Sequence, residues 1–487
     1  MPIIIPANSA AAGLGYQVTN SLRFNSGSSD YLHFTPSSDG NRRTMTLSVW
    51  IKGSALANGS SDNILGQYNS SNENNSMLLL VETAGKIMVW NYPTSAYTMD
   101  LRTNRLLKDP SAWYHIVVAV DTTQGTDSNR VKIYVNGVQE TSFATATYPS
   151  QNLELFMNQN KAQNIGTQRY GSTVGSPFNG YMAEFVFIDG TQYAASDFGE
   201  FDEDSGIWKP KDDLADDLTF GTNGYYLDFK DSSALGNDVS GNNNDFTPVN
   251  LTSLDQTTDT CTNNFATLNV LNSTLNDTVL SEGNLKMVGG NQSVNYSYVT
   301  STIAVLSGKW YWEVKAVDNS EIDQVGVAKM DLAQFSNIDT SSGLQATTYG
   351  GKGVQMSNGY KVGDGSGSAY MGGFSANDIC MVALDLDNNK ITFGRNGQWA
   401  NGSGSANQTY GNSTAAFTNL TAGALYAAAL CMRDSAGNNP GTMEFNFGNP
   451  IFTGTDQADG NSYGSFEYAP PTGFLSLCTI NLSKEIS

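Results

Sequence analysis

Apolar and polar side chains alternate with a period of two along most of this chain, the pattern of strands that bury one face. It is clearest in Lys309-Trp310-Tyr311-Trp312-Glu313-Val314-Lys315, where Trp310, Trp312 and Val314 alternate with Tyr311, Glu313 and Lys315. Two indoles on one face bury roughly 150–250 Å² each, so this strand anchors a core and turns Tyr311 and Glu313 outward. The second half continues with Val325 to Ala328, Ile379 to Leu386, Lys390 to Phe393, a turn at Arg395-Asn396-Gly397, Leu425 to Met432 and Met443 to Gly448. The first half shows Leu22-Arg23-Phe24, Tyr31 to Phe34, Met45 to Lys52 with Leu47, Val49 and Ile51 on one face, Ile87 to Trp90, and Tyr181 to Ile188. Trp113 to Val120 is apolar on both faces, as a central strand is. Val131 to Val135 runs into Asn136-Gly137, the strongest short hairpin signal, and Val138 resumes. Short strands at roughly 8–12-residue spacing or a little more predict sandwiches. A short helix is expected after Ser196 as its N-cap.

The fold class is therefore all-β, with two jelly-roll β-sandwiches in series. A chain of 487 residues is too long for one core, and 49 glycines favour turns. Residues 1–20 read as an extended arm, 21–201 as the first sandwich, 202–265 as an ordered acidic linker rich in Asn, Asp and Gly, and 266–487 as the second sandwich with a C-terminal lid. In the arm, Pro2 and Pro6 enforce extended backbone around Ile3, Ile4 and Ile5, whose exposure would be costly. These five residues are the candidate assembly anchor. Within the linker, Gly224 to Phe229 reads as a strand added to one of the sandwiches.

Charge narrows the function classes. A formal net charge of −21 repels nucleic acid, and no basic stripe offsets it. The acidity reads first as a solubility device. Met1 to Pro6 has no basic n-region, so no secretory signal is expected, and no apolar run reaches the ~20 residues that span a bilayer. Cys261, Cys380, Cys431 and Cys478 are widely spaced, and with His33 and His115 they give no zinc pattern. His115, inside Trp113 to Val118, is expected as a hydrogen-bonded core imidazole.

Ser21-Leu22-Arg23-Phe24, Leu47-Ser48-Val49-Trp50-Ile51-Lys52, Trp113-Tyr114-His115 and Val131 to Gly137 occur in the order of the laminin-G-like, concanavalin-type jelly roll, and the first half resembles that family. The second half resembles the SPRY family: the tryptophan strand, Gly326-Val327-Ala328, Val382-Ala383-Leu384-Asp385, Phe393 before Arg395-Asn396-Gly397, and Asn446-Phe447-Gly448. The segment from Phe220 to Phe229 through Asn263-Asn264-Phe265 resembles a joining segment of bacteriophage tail-fibre-like proteins. This combination implies a non-enzymatic virion protein, a tail fibre or adhesin binding a host surface glycan or protein receptor. It also implies other virion proteins as partners of the arm, a homo-oligomer (a trimer), a virion location after synthesis in the host cytoplasm, no nucleic acid and no membrane insertion. The alternatives are a capsid head fibre or decoration protein and a glycan depolymerase.

A retaining glycosidase needs two carboxylates at short spacing. Glu321-Ile322-Asp323 begins such a motif, but Val325 and Gly326 hold the places of the second glutamate, and the solvated end of a strand explains it better. No nucleophile elbow or phosphate loop is present. Asp385-x-Asp387-x-Asn389 lacks the later ligands of a calcium loop, and Asp238, Ser240, Asn242, Asn244 and Asp245 fit no defined one. No catalytic residue, metal site or cofactor is expected, calcium being the one ion these oxygens leave open. Recognition chemistry remains: aromatic faces for the apolar side of a sugar ring, and amides for its hydroxyls. The candidates are Tyr349, Tyr360, Tyr370, Trp399 and Tyr410 beside Arg395, Asn396 and Asn401 in the second sandwich, and Tyr68, Trp90, Tyr92 and Tyr170 in the first.

Overall fold

The computed structural model describes residues 15–54, 61–68, 76–93, 96–170, 173–274, 278–290, 295–318, 322–330, 342–345, 350–433 and 441–484. The anchor candidates Pro2, Ile3, Ile4, Ile5 and Pro6 lie outside them. The chain divides into two compact units at Thr262/Asn263. Each is a pair of antiparallel sheets closed over its own apolar core.

In the first unit, one sheet runs in the order Val138–Gln139, Val131–Val135, Tyr114–Asp121, Thr44–Gly53, Gly180–Asp189, Ser21–Phe24 and Gln256–Thr257. The facing sheet runs Phe143–Thr147, Met99–Leu106, Lys86–Tyr92, Ser76–Val81, Asp62–Tyr68, Gln163–Ile165, Tyr31–Phe34 and Thr247–Val249. Leu22, Val49, Ile51 and Val118 meet Leu79, Val89 and Leu101 between them. Trp113 to Val120 is apolar on both sides because the outer face of its sheet is covered too. There Val117, Val186 and Ile188 pack against Phe198, Leu214, Phe220 and Tyr226.

That cover corrects the expected domain boundaries. The segment expected as a linker is built into the first unit as far as Thr262: Tyr225–Leu227 pairs with Gly180–Asp189, Thr247–Val249 with Tyr31–Phe34, and Gln256–Thr257 with Ser21–Phe24. The end of the expected arm belongs to this unit as well, with Val18 buried beside Trp50, Trp113 and Tyr181. In place of a helix capped by Ser196 there is one 3₁₀ turn, Ala195–Asp197, whose Asp197 carboxylate accepts the Ala194 N–H at 2.7 Å.

An ion pair locks the covering segment down. Lys52 Nζ donates to Asp259 Oδ2 at 2.7 Å, and Trp113 Nε1 donates to Asp259 Oδ1 at 3.2 Å, with both charged side chains buried. Removing one member of such a pair strands the other charge, which costs about 3–5 kcal/mol. Asp259→Ala is therefore expected to lower the unfolding free energy in urea by that amount, and adding Lys52→Met to recover most of it.

Glu184 stands at a register shift between Ala183 and Val186 with φ 50°, a strained conformation for a side-chain-bearing residue. Its buried carboxyl accepts the Tyr226 hydroxyl at 2.5 Å and the Tyr16 hydroxyl at 3.4 Å. Burial pushes its pKa from 4.5 up to about 7. The folded state thus holds a proton that the unfolded chain has released, and stability falls as pH rises from about 4.5 to 7. Burial raises Asp62 to about 7 as well, adding to the same loss. Glu184→Gln is expected to raise Tm at pH 8, with the gain shrinking toward zero at pH 5.

In the second unit, one sheet runs Leu268–Thr274, Ser297–Val305, Tyr426–Met432, Gln324–Lys329, Lys352–Gln355, Tyr360–Gly363 and Ser366–Ala369. The other runs Val279–Ser281, Lys286–Val288, Thr442–Asn446, Lys309–Asp318, Ile379–Asp385, Lys390–Arg395, Gln398–Ala400 and Ala406–Gln408. Trp310, Trp312 and Val314 lie in the core, at most 1% exposed. Contrary to the alternation, Tyr311 and Glu313 are buried as well. The C-terminal tail crosses over them, placing Phe466 and Phe474 on Tyr311 and bridging Leu475 to Trp310. The Glu313 carboxylate accepts Tyr311 Oη at 2.9 Å, Asn446 Nδ2 at 3.1 Å and the N–H groups of Glu467 and Tyr468 at 2.9 and 2.8 Å.

Candidate functional site

Most of the residues that sequence singled out in the second unit build its walls. Tyr370 is 1% exposed and donates its hydroxyl to Thr414 O at 2.7 Å; burial raises its pKa. Trp399 is 4% exposed, and Tyr410 meets it edge-on at 5.0 Å while touching Phe474 at 5.2 Å. Arg395 donates to Gly373 O and lies over Phe374. Asn396, at φ 49°, accepts the Ile379 N–H and donates to Asp378. Asn401 accepts the N–H groups of Ser403 and Ser405. These are packing and turn roles. Tyr360 alone among these candidates is an exposed large aromatic, at 42%, and Tyr349 lies outside the described residues.

A polar cleft opens beneath the hairpin whose first strand starts at Tyr360. The strands Tyr360–Gly363 and Ser366–Ala369 form a hairpin at a sheet edge, turned by Asp364-Gly365 with φ 51° and 79°. Positive φ at both central residues is the type I′ geometry that Asp-Gly favours. The register pairs Lys361 with Ser368 and Gly363 with both Ser366 and Lys352, and alternation places these on one face. Opposite stands the segment Ala416 to Asn419, pinned to the other sheet by reciprocal backbone bonds between Phe417 and Ile391. Lys361, Gly363, Asp364, Ser366, Ser368 and Ala416 to Asn419 enclose about 310 Å³, near the lower end of ligand sites, of order 300–1,000 Å³.

Charge inside the cleft is arranged around one ring. Lys352 Nζ and Lys361 Nζ stand 5.2 and 5.4 Å from the Phe417 centroid. Lys352 is ion-paired with Asp364, and Lys361 donates to Ala416 O at 3.0 Å. The Lys352 hydrogen bond is the main reason that Asp364 ionises below the usual carboxylate range; Asn419 adds a weaker bond at 3.4 Å. At Gly363 a Cβ would come within 3.1 Å of Phe417 Cζ and 2.9 Å of Gly351 O, so only glycine leaves this floor clear. Sequence reasoning passed over all of these residues. The signal was present in Asp364-Gly365, which fixes Lys361 opposite Ser368.

Residues 26–195 match the concanavalin A-like lectin/glucanases superfamily, in its laminin-G form, and residues 309–449 match the SPRY domain. Two known domain types stand in series in this chain. No curated protein matches it. Solved structures of similar fold include the SPRY domain of human HERC1, 16% identical over 37% of this chain and 96% of that one, TM-score 0.28. A putative carbohydrate binding protein from Bacteroides ovatus is 16% identical over 48% of this chain and 58% of that one, TM-score 0.31. A heptameric SAP-like pentraxin from Limulus polyphemus is 13% identical over 37% of this chain and 80% of that one, TM-score 0.28. At these scores they carry no argument about function.

In the concanavalin-like domain, Tyr68 is buried against Leu78, Leu80, Met88 and Trp90. Trp90 meets Tyr92 edge-on at 5.6 Å and Tyr97 at 5.3 Å, and Tyr97, which sequence did not single out, is 45% exposed. Tyr170 ends the strand Gln168–Tyr170, and its side chain lies outside the described residues. His115 stacks on Trp50 at 4.8 Å, accepts Trp208 Nε1–H at its Nδ1 and bonds Ser48 Oγ through Nε2; burial lowers its pKa to about 3. It is a neutral packing group. The Asp238 carboxylate accepts the N–H groups of Tyr226, Ser240 and Asn244. In the SPRY domain, Asp385 accepts from Asn388 and Asp387 from Gly308. Asp323 is wholly buried rather than at a solvated strand end, and Glu321 lies outside the described residues. Among the described residues no group of three or more His, Cys, Asp or Glu side chains is placed to hold a metal.

The two kinds of aromatic separate by experiment. Trp399→Ala is expected to cost about 3–5 kcal/mol in denaturant unfolding. Tyr360→Ala is expected to change stability by no more than about 0.5 kcal/mol.

Proposed function

We propose that this protein is a non-enzymatic bacteriophage virion component, a tail fibre or adhesin that binds a glycan or protein receptor on the host surface. The observation that carries the binding reading is the polar cleft beneath the edge hairpin of the SPRY domain. Its hydroxyls (Ser366, Ser368, Thr418), amide (Asn419), carboxylate (Asp364) and ammonium (Lys361) converge on a space of ligand size. Two-layer β bodies hold such loops rigidly, so little ordering entropy is lost when a ligand binds. The virion assignment rests on the sequence order of laminin-G-like motif, tail-fibre-like joining segment and SPRY motif. In this reading Pro2 to Pro6 fix the chain to other virion proteins, and copies associate as a homo-oligomer.

The test uses the full-length chain. Saturable binding on a printed glycan array is expected, with no reducing ends released from the bound polysaccharide. Removal of residues 1–13, which stops short of Tyr16 and Val18, is expected to prevent incorporation into particles while leaving the far-ultraviolet spectrum unchanged. Absence of binding to any glycan or host cell would overturn the adhesin reading, leaving a decoration role. Release of reducing ends would make the protein a depolymerase.

A further inference from the structure

The cleft differs in charge from the chain around it. Against a formal net charge of −21, two ammonium groups here share one carboxylate. Lys352 takes that carboxylate, Asp364, and is itself nearly buried. Lys361 bonds a carbonyl and lies over Phe417, and among the described residues no carboxylate pairs with it. Its cross-strand neighbour is Ser368, with Ser366 one pair further along the same face and Thr418 on the opposite wall. All three hydroxyl-bearing residues are exposed, and among the described residues their side chains make no hydrogen bond.

We propose that this cleft binds a carboxylated saccharide, a terminal uronic or sialic acid unit. Its carboxylate meets Lys361 and its ring hydroxyls meet Ser366, Ser368 and Thr418. The proposal rests on the glycan-binding reading above and names the class of glycan. Three features favour it. A single unpaired ammonium matches a single negative charge, and charge-assisted hydrogen bonds are roughly twice as strong as neutral ones. A phosphate dianion is disfavoured, because Asp364 faces the same space and the cleft offers neither an Arg fork nor a helix N-terminus. Phe417 already has two cations about its ring, and these compete with a neutral sugar for the stacking platform it would ordinarily use. The overall acidity does not forbid an acidic ligand, since at physiological salt charges beyond about 8 Å are largely screened.

Isothermal titration of the full-length chain decides this. The probes are oligosaccharides ending in glucuronic acid or N-acetylneuraminic acid, neutral oligosaccharides of equal length, and inorganic phosphate. Binding of a carboxylated probe is expected, weakened at least tenfold by Lys361→Ala, largely restored by Lys361→Arg, and abolished by Ser368→Glu, which sets a carboxylate opposite Lys361 that pairs with its ammonium and repels the ligand's carboxylate. Ser368 is exposed and its side chain makes no hydrogen bond among the described residues, so its variant is expected to keep the wild-type Tm and shows that loss of binding is not loss of fold. Binding of neutral probes alone, binding untouched by Lys361→Ala and Ser368→Glu, or phosphate competing as well as the sugars would each overturn the acidic-sugar assignment while leaving a saccharide-binding protein. Failure of every saccharide would overturn the glycan-binding reading and this proposal with it.

Discussion

Burial of the strand Lys309–Asp318 on both of its faces is the constraint on which the second unit rests. The inner face supplies two indoles to the core. The outer face would be an exposed tyrosine and glutamate if the tail did not cross it. Carrying Glu313 out of water is offset by four hydrogen bonds to its carboxylate, two of them from the tail backbone. The same carboxylate thus forbids solvent on that face and holds down the segment that excludes it. Desolvation still wins in its ionisation, which is displaced upward despite those donors.

Buried carboxylates serve the same purpose elsewhere in the chain. Asp259 ties the covering segment of the first unit to Lys52 and Trp113, and Asp459 ties the tail of the second to Ser476 and Asn481. Asp238 gathers three backbone N–H groups of its own loop. Part of the acidity that composition suggests is a surface property is therefore spent inside, where carboxylates accept bonds from segments that have no ladder to join. In the stretch after residue 202, Asp228, Asp238, Asp255 and Asp259 are buried, while Glu203, Asp204, Asp212, Asp213, Asp216 and Asp217 stay exposed.

Function follows from what the sandwiches leave over. Once aromatic rings such as Trp399 and Tyr370 are committed to packing, the free chemistry of the SPRY domain gathers where an edge hairpin meets a loop pinned to the opposite sheet. An edge strand leaves its outer backbone and side chains without a neighbouring strand. Asp364-Gly365 shapes that edge into a hairpin tight enough to set an ammonium opposite a hydroxyl. The cleft is thus a product of register, and its charge is local against a strongly acidic whole.

The sequence by itself determined the all-β class, the two domain types and many of the strands, because period-two burial and Asn-Gly or Asp-Gly turns are local; it did not show Asp62–Tyr68, Ser76–Val81, Met99–Leu106 or Ser297–Val305. It also placed His115 in the core, since a lone histidine within an apolar run has little else to do. What only the tertiary structure decided were facts of pairing at long range. Tyr225–Leu227 and Gln256–Thr257 are too short to announce which sheet they join, so residues 202–262 read as a linker and not as part of the first unit, although the start of the second unit was placed at 266, close to the division after Thr262. Tyr311 and Glu313 alternate like surface residues, yet a tail more than 150 positions later covers them. Trp399 and Tyr410 carry the chemistry of a sugar site, but each other's rings and Phe474 fill the space. Lys361 and Phe417 are unremarkable in sequence and become a cleft only when two sheets bring them together, because contact across a fold depends on closure and leaves no periodic trace along the chain.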